Sequence, residues 1–247
     1  VKFGEFIKKA KALGVDYVAT GHYAKVKEKK DGLVHLYMGK DKAKDQSYFL
    51  HQLTQTQLKS ILFPLGDLNK DKVRRLDKKF GLATASKKES QEICFIPDSD
   101  VGGFLSRKTK FETGEIKDFQ TKEVLGKHDG LPRYTIGQRK GIGLAGGPWF
   151  VVRLDMKKNI LWVSRDEKDL LSKNLIVKNV NWMAGEPKFP MKVKCRIRYR
   201  SKEVNAIINK KDSRIEVEFS RPERAVTAGQ YAVFWKGKEC LGGGVIE

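Results

Sequence analysis

At 247 residues the chain has room for two or three domains of roughly 100–200 residues each, and its 40% hydrophobic and 10% aromatic content excludes a wholly disordered chain. The formal charge of +20 divides as +9 over residues 1–97, +3 over 98–170 and +8 over 171–247. Spread over folded segments, this excess points to a polyanionic partner, because each phosphate contact releases counterions; a lysine-rich proteome is the plainer alternative.

Three cysteines, Cys94, Cys195 and Cys240, form no paired spacing, so a disulfide scaffold is excluded and a reducing cytoplasm is expected. His22, His35, His51 and His128 do not cluster with them, and no bound metal is expected. No apolar run reaches the roughly 20 residues of a membrane span, and no secretory signal is visible. The chain opens on Val1 inside a helical pattern, which reads as a fragment whose front lies upstream.

Phe3, Phe6, Ile7, Ala10 and Leu13 recur at helical spacing, and Gly14 closes the run. Val15–Thr20 reads as a buried strand ending in Gly21-His22-Tyr23-Ala24. Helix, strand and glycine turn make one unit of an α/β sheet, whose ligands bind at the strand's carboxyl end, where Gly21 would allow close approach to the backbone. Val34–Met38 is a further strand. Lys44, Asp45 and Gln46 either form a polar corner for a nucleotide or cap a helix starting near Ser47. Thr54–Leu62 reads as a helix with Leu58, Ile61 and Leu62 inward. Asn69 caps another, with Val73, Leu76 and Phe80 inward and Gly81 at its end.

Ser-Gln-Glu-Ile-Cys-Phe-Ile, residues 90–96, places Cys94 just after a basic loop containing Lys87 and Lys88. Nearby cations favour a thiolate, the reactive form. Short β-like runs follow at Gly114–Phe119 and Glu123–Leu125. Tyr134–Gly147 contains G-x-G-x-x-G at Gly141, Gly143 and Gly146, but a strand at Trp149–Leu154 follows where a dinucleotide site needs a helix. Exposed backbone N–H groups beside Arg139 and Lys140 suit a phosphate backbone better. Trp149–Leu154 and Asn159–Ser164 form a hairpin.

Beyond Lys173 the pattern is all strand. In Lys192–Arg200, Val193, Cys195, Ile197 and Tyr199 alternate with a cationic ladder of Lys194, Arg196, Arg198 and Arg200. Arg214–Phe219, Gln230–Trp235 and Gly242–Ile246 complete a small β-barrel in which Cys195 and Cys240 are core residues.

Several of these stretches together carry a family likeness. They include Ala19-Thr20-Gly21-His22-Tyr23-Ala24, Lys44-Asp45-Gln46-Ser47-Tyr48-Phe49-Leu50, Phe63-Pro64-Leu65-Gly66 and Ile93-Cys94-Phe95-Ile96. Thr135-Ile136-Gly137-Gln138-Arg139-Lys140-Gly141, Arg198-Tyr199-Arg200 and Cys240-Leu241-Gly242-Gly243-Gly244 continue the series. Over its full length the sequence resembles the tRNA-specific 2-thiouridylases (the MnmA/TrmU family). The resemblance implies the C-terminal part of a PP-loop α/β nucleotide domain at 1–97, a central tRNA-binding domain at 98–170 and a C-terminal β-barrel at 171–247. It implies ATP-dependent sulfur transfer to C2 of a wobble uridine, with Mg2+ as the nucleotide's counterion and Cys94 as the persulfide carrier. Gly21 would contact ATP; His22, Lys44, Asp45, Gln46, Arg198, Tyr199 and Gln230 would contact tRNA. A second cysteine earlier in the family's chain would resolve the persulfide and form a disulfide with the first. The expected partners are tRNA and a sulfur-donor or relay protein, with the enzyme a cytoplasmic monomer. The Ser-Gly-Gly-Val-Asp-Ser-type PP-loop and the first cysteine are absent, so this chain alone is not expected to adenylate anything; the alternative is a non-catalytic tRNA-binding module.

Overall fold

The computed structural model describes residues 3–83, 103, 104, 107 and 111–247, so Cys94, Lys87 and Lys88 lie outside the described residues. Two compact units emerge: one of Val1–Lys87, Lys173–Arg221 and Ala228–Glu247, the other of Lys88–Ser172 and Pro222–Thr227.

The first unit begins with helix α1, Glu5–Ala12, ended by Gly14 at φ +77°. Its inward face is narrower than the spacing suggests. Ile7 is buried and Phe3 and Ala10 pack partly, whereas Phe6 and Leu13 are exposed. Strand β1 is only Val18–Ala19 and runs parallel to β4, Ile61–Leu62. The expected buried strand is thus shortened, with Val15 and Tyr17 exposed. The expected helix over Thr54–Leu62 is also shorter. Helix α2 spans Gln55–Leu58 behind a Thr54/Gln57 capping box, after which the chain extends to place Ile61 against Val18. Helix α3, Lys70–Lys79, starts at Asn69 as its cap position predicts, yet buries no residue, and Phe80 is exposed.

The hairpin of β2 (Ala24–Glu28) and β3 (Val34–Met38) extends a much larger sheet. The barrel strands are β9 (Leu171–Trp182), β10 (Met191–Arg196), β11 (Val204–Lys211), β12 (Arg214–Arg224), β13 (Tyr231–Lys236) and β14 (Glu239–Ile246). Their order β13-β10-β11-β12-β9-β14 closes through pairing of β14 with β13, giving a six-stranded barrel without free edges. Val193, Cys195, Ala206, Ile208, Val217 and Phe219 alternate along their strands and are buried, as period-two patterning demands. On β13, Val233 and Trp235 face the other way, into a core shared with Leu36, Tyr48, Leu50, Leu58 and Cys240. Strand β14 also pairs with β3 at Glu239↔Tyr37 and Cys240↔Leu36, so the barrel and the N-terminal α/β portion share one sheet.

Side-chain amides stitch this junction. Gln55 Nε2 donates to Val34 O and Met183 O at 2.8 and 2.6 Å, and its Oε1 accepts from Val34 N at 2.9 Å. Asn181 Nδ2 donates to His51 O at 2.8 Å.

The second unit carries a four-stranded sheet in the order β6 (Val124–His128), β5 (Gly114–Asp118), β8 (Ile160–Ser164), β7 (Phe150–Asp155). The expected hairpin of β7 and β8 is present and antiparallel. The glycine-rich segment carries no helix, in keeping with rejection of a dinucleotide fingerprint. Ile142 and Trp149 anchor it in the core with Leu131 and Val151, and Trp149 Nε1 donates to Ala145 O at 2.9 Å. Gly143 has φ +79° with open space where a side chain would stand, and Arg139 and Lys140 beside it are exposed.

Candidate nucleic-acid interface

The segment Lys44–Leu50 forms a corner whose rigidity comes from Asp45. That carboxylate is buried, accepts from Gly39 N at 3.0 Å and Ser47 Oγ at 2.9 Å, and lies 3.9 Å from the Arg196 guanidinium. Burial raises its pKa, and the N–H and hydroxyl donors oppose that rise. Gln46 Oε1 accepts from Tyr23 N at 3.1 Å, and Lys44 is half-buried. Both readings of this polar trio were open in the sequence; Asp45 and Gln46 spend these bonds holding the backbone.

What the corner presents is aromatic. Ser47–Leu50 is one 3-10 turn in which Tyr48 is buried while Phe49 projects, 54% exposed. The Phe49 ring lies 4.3 Å from Tyr199, centroid to centroid, and Tyr48 lies 6.2 Å from it. The Tyr48 hydroxyl donates to Tyr231 O at 3.0 Å, and burial pushes its pKa up to about 12, so it stays a donor. His51 packs 4.7 Å from the Tyr231 ring, with Nδ1 2.7 Å from Tyr48 O; burial lowers its pKa and favours the neutral ring.

Strand β10 ends at Arg196 rather than continuing to Arg200, so Arg198 and Tyr199 sit in a turn. The expected ladder is interrupted by the end of the strand, and two of its rungs are already paired. Glu203 accepts from Lys194 at 3.2 Å and from Arg196 at 2.8 Å, and Arg196 stacks 5.1 Å from the Trp235 ring. Beyond it, Arg198 Nε donates to Gln230 Oε1 at 3.3 Å.

The fold therefore brings Lys44, Asp45 and Gln46 close to Arg198, Tyr199 and Gln230, although they come from opposite ends of the chain. Arg139 and Lys140 belong to the other unit. His22 packs between Phe3 and Phe63, at 5.5 and 6.0 Å, with Nδ1 2.9 Å from Thr20 Oγ1. Gly21 is exposed just beyond β1, and a side-chain carbon there would meet only Leu65 Cδ1 at 3.7 Å. Sequence reasoning missed Phe49 and Tyr231 as surface rings. The one available signal was an aromatic pair, Tyr48-Phe49, in a turn too short to bury both.

Three family models match the chain: the tRNA methyl transferase HUP domain over residues 1–98, the tRNA methyl transferase PRC-barrel domain over 102–165, and the aminomethyltransferase beta-barrel domain over 172–246. Among curated proteins, the tRNA-specific 2-thiouridylase MnmA of Geobacillus thermodenitrificans is 45% identical over 253 residues, covering 100% of this chain and 68% of that protein. The Listeria monocytogenes serotype 4b protein of the same name is 46% identical over 254 residues, and that of Streptococcus thermophilus 43% over 256, each with the same coverage. With an α/β portion, a central domain and a closed C-terminal barrel in the matched order, the chain belongs to the tRNA-specific 2-thiouridylase (MnmA) family.

Proposed function

We propose that this chain is the RNA-holding and sulfur-carrying portion of a tRNA-uridine 2-sulfurtransferase. The observation that carries the reading is the surface where the Phe49 and Tyr199 rings meet at 4.3 Å, tilted by 40°, beside the Arg198–Gln230 pair. Exposed rings give π-faces to unstacked bases, and a guanidinium beside them pairs with phosphate or a base edge. A uridine within an anticodon loop must leave its stack before chemistry at C2 can begin. Lys44, His22, Arg139 and Lys140 are further tRNA contacts, and Asp45 and Gln46 serve the same binding by fixing the corner's backbone.

ATP, with Mg2+ as its counterion, supplies the activation that turns the uracil O2 into a leaving group. Of the described residues, Gly21 fits a nucleotide, since a ligand can reach its backbone at the carboxyl end of β1. The sequence holds no PP-loop to grip a triphosphate, so no step is assigned to this chain's residues there. The role of Cys94 is to carry a persulfide whose terminal sulfur bonds to C2 as AMP departs with the former oxygen. A second cysteine thiolate takes the Cys94 sulfur, breaking the persulfide bond and leaving a disulfide that an external thiol reduces. A sulfur-donor protein reloads Cys94. Residues 1–97, 98–170 and 171–247 serve as nucleotide, central tRNA-binding and barrel segments of a cytoplasmic monomer; no helix among the described residues is long and apolar enough to cross a membrane.

The test is ATP-dependent thiolation of tRNA by this chain joined to a PP-loop segment from a relative. Loss of activity in Cys94→Ser is expected, and full activity would sink the proposal. A non-catalytic tRNA-binding module has one observation in its favour: among the described residues both thiols, Cys195 and Cys240, are buried. Alkylation of Cys94 separates the two readings, because a pure binder loses nothing.

A further inference from the structure

A groove of about 530 Å³ runs along the barrel wall where β13, β10, β11, β12 and β9 lie side by side, and Phe49 is not part of its lining. Its charged rim is Lys173, Lys192, Lys194 and Lys236, facing a single carboxylate, Glu218. Lys173 lies 3.5 Å from that carboxylate and Lys194 is held by Glu203, whereas Lys192 and Lys236 are exposed without an ion pair among the described residues.

We propose that this groove holds the sugar-phosphate backbone of a double-helical RNA stem, a contact distinct from the aromatic surface that takes the loop. Three features select this occupant. Lysines joined by Asn205 and Ser220 are the side-chain types that contact phosphate and ribose. The groove's two rings, Phe219 and Trp235, are buried at 1% and 0%, so it offers no face on which an unpaired base can stack. Paired A-form RNA is recognised through phosphates and 2′-hydroxyls instead. Lys192 and Lys194 also precede Arg196 at every second position of β10, spaced roughly 7 Å apart, so the strand runs from the groove toward Arg198 and Tyr199. A hairpin RNA with its loop on the rings can thus continue as a stem over the lysines.

The inference rests on the proposed tRNA-binding role, and its test separates the two. Fluorescence anisotropy of the whole chain is measured with three probes: a complete tRNA, a blunt RNA duplex without a loop, and a short single-stranded oligonucleotide of the anticodon-loop sequence. In Lys192→Glu/Lys236→Glu, affinity for tRNA and duplex is expected to fall roughly tenfold, with a salt slope shallower by about two, and the single-stranded probe to bind as before. Lys192→Gln/Lys236→Gln gives a smaller loss in the same order. Unchanged duplex affinity overturns the inference, as does an equal loss with all three probes. Binding of poly-glutamate at the groove with duplex affinity intact also overturns it in favour of an acidic protein partner. If the unmodified chain binds no tRNA at all, the proposed function itself fails.

Discussion

Arg198 and Gln230, 32 residues apart, meet through Arg198 Nε and Gln230 Oε1 at 3.3 Å. A guanidinium held at Nε by a neighbouring amide loses little rotamer freedom when a ligand binds. Arg198→Ala is expected to weaken tRNA binding and reduce the salt slope by about one. Gln230→Ala costs less, and the double variant loses less than the sum of the two, because both act through one hydrogen bond. A double-mutant cycle read by anisotropy checks this.

Phe49 separates binding from stability. Because its ring is 54% exposed, Phe49→Ala should change unfolding free energy by less than about 0.5 kcal/mol. Removal of a stacking face should cost about 1–3 kcal/mol of affinity for single-stranded RNA. Equal affinity in variant and parent chain rules the ring out as a platform.

The three thiols should react unequally. Cys195 and Cys240 are buried, and burial drives the Cys240 pKa far above its usual range. In native buffer a thiol reagent is expected to modify Cys94 alone, and in urea all three. Mass spectrometry of the labelled peptides decides it, with native labelling at Cys240 as the contrary result.

Glu239 predicts an acid limb. Its carboxylate receives Lys29 Nζ at 2.7 Å and His35 Nδ1 at 2.6 Å, tying β14 to the β2–β3 hairpin. Burial raises its pKa, but these hydrogen bonds outweigh burial and the net pKa is lowered from the ordinary 4.5. A lowered folded pKa contributes stability above the unfolded value and loses it as pH falls through the folded one. Glu239→Gln should therefore be less stable than the parent by about 1 kcal/mol near neutrality, the gap closing below pH 4.5. Urea midpoints across pH read that gap; a gap that stays constant contradicts the account.

Gly242 marks the barrel seam. It has φ +141°, and a side-chain carbon would stand 1.9 Å from Asn181 O on the neighbouring β9. Gly242→Ala is expected to cost about 3 kcal/mol or more, against about 1 kcal/mol for Gly143→Ala, which has room around it. Denaturant melts of the two variants test the difference.

Local rules recovered what is locally determined. Strict alternation in Val193–Ile197 identifies a strand because one face is buried, and the run Val34–Met38 identifies another that is buried on both faces at Val34, His35 and Leu36. Asn69 and Gly14 mark helix boundaries through backbone geometry alone. The length of α2 escaped because Ile61 answers to Val18, a partner 43 residues away, and not to helical spacing. The cationic ladder was misread because Glu203 sits beyond the strand that carries the lysine and arginine rungs. The Phe49–Tyr199 surface was half visible: both residues stood in the family motifs, but their contact spans 150 residues and needs the β3–β14 pairing to exist.

That pairing sets where the protein can be cut. Glu239 and Cys240 pair with Tyr37 and Leu36 on one side and with Lys236 and Trp235 of β13 on the other, while the remainder of β14 bonds to β9 and β13. Severing the chain near residue 171 would keep the barrel closed but bare the edge of β3 and strip Glu239 and Cys240 of their outer partner, so the barrel moves with its flanking contacts intact only when the β2–β3 hairpin accompanies it. The boundaries of the matched domains and the hydrogen-bonded seam of the molecule do not coincide.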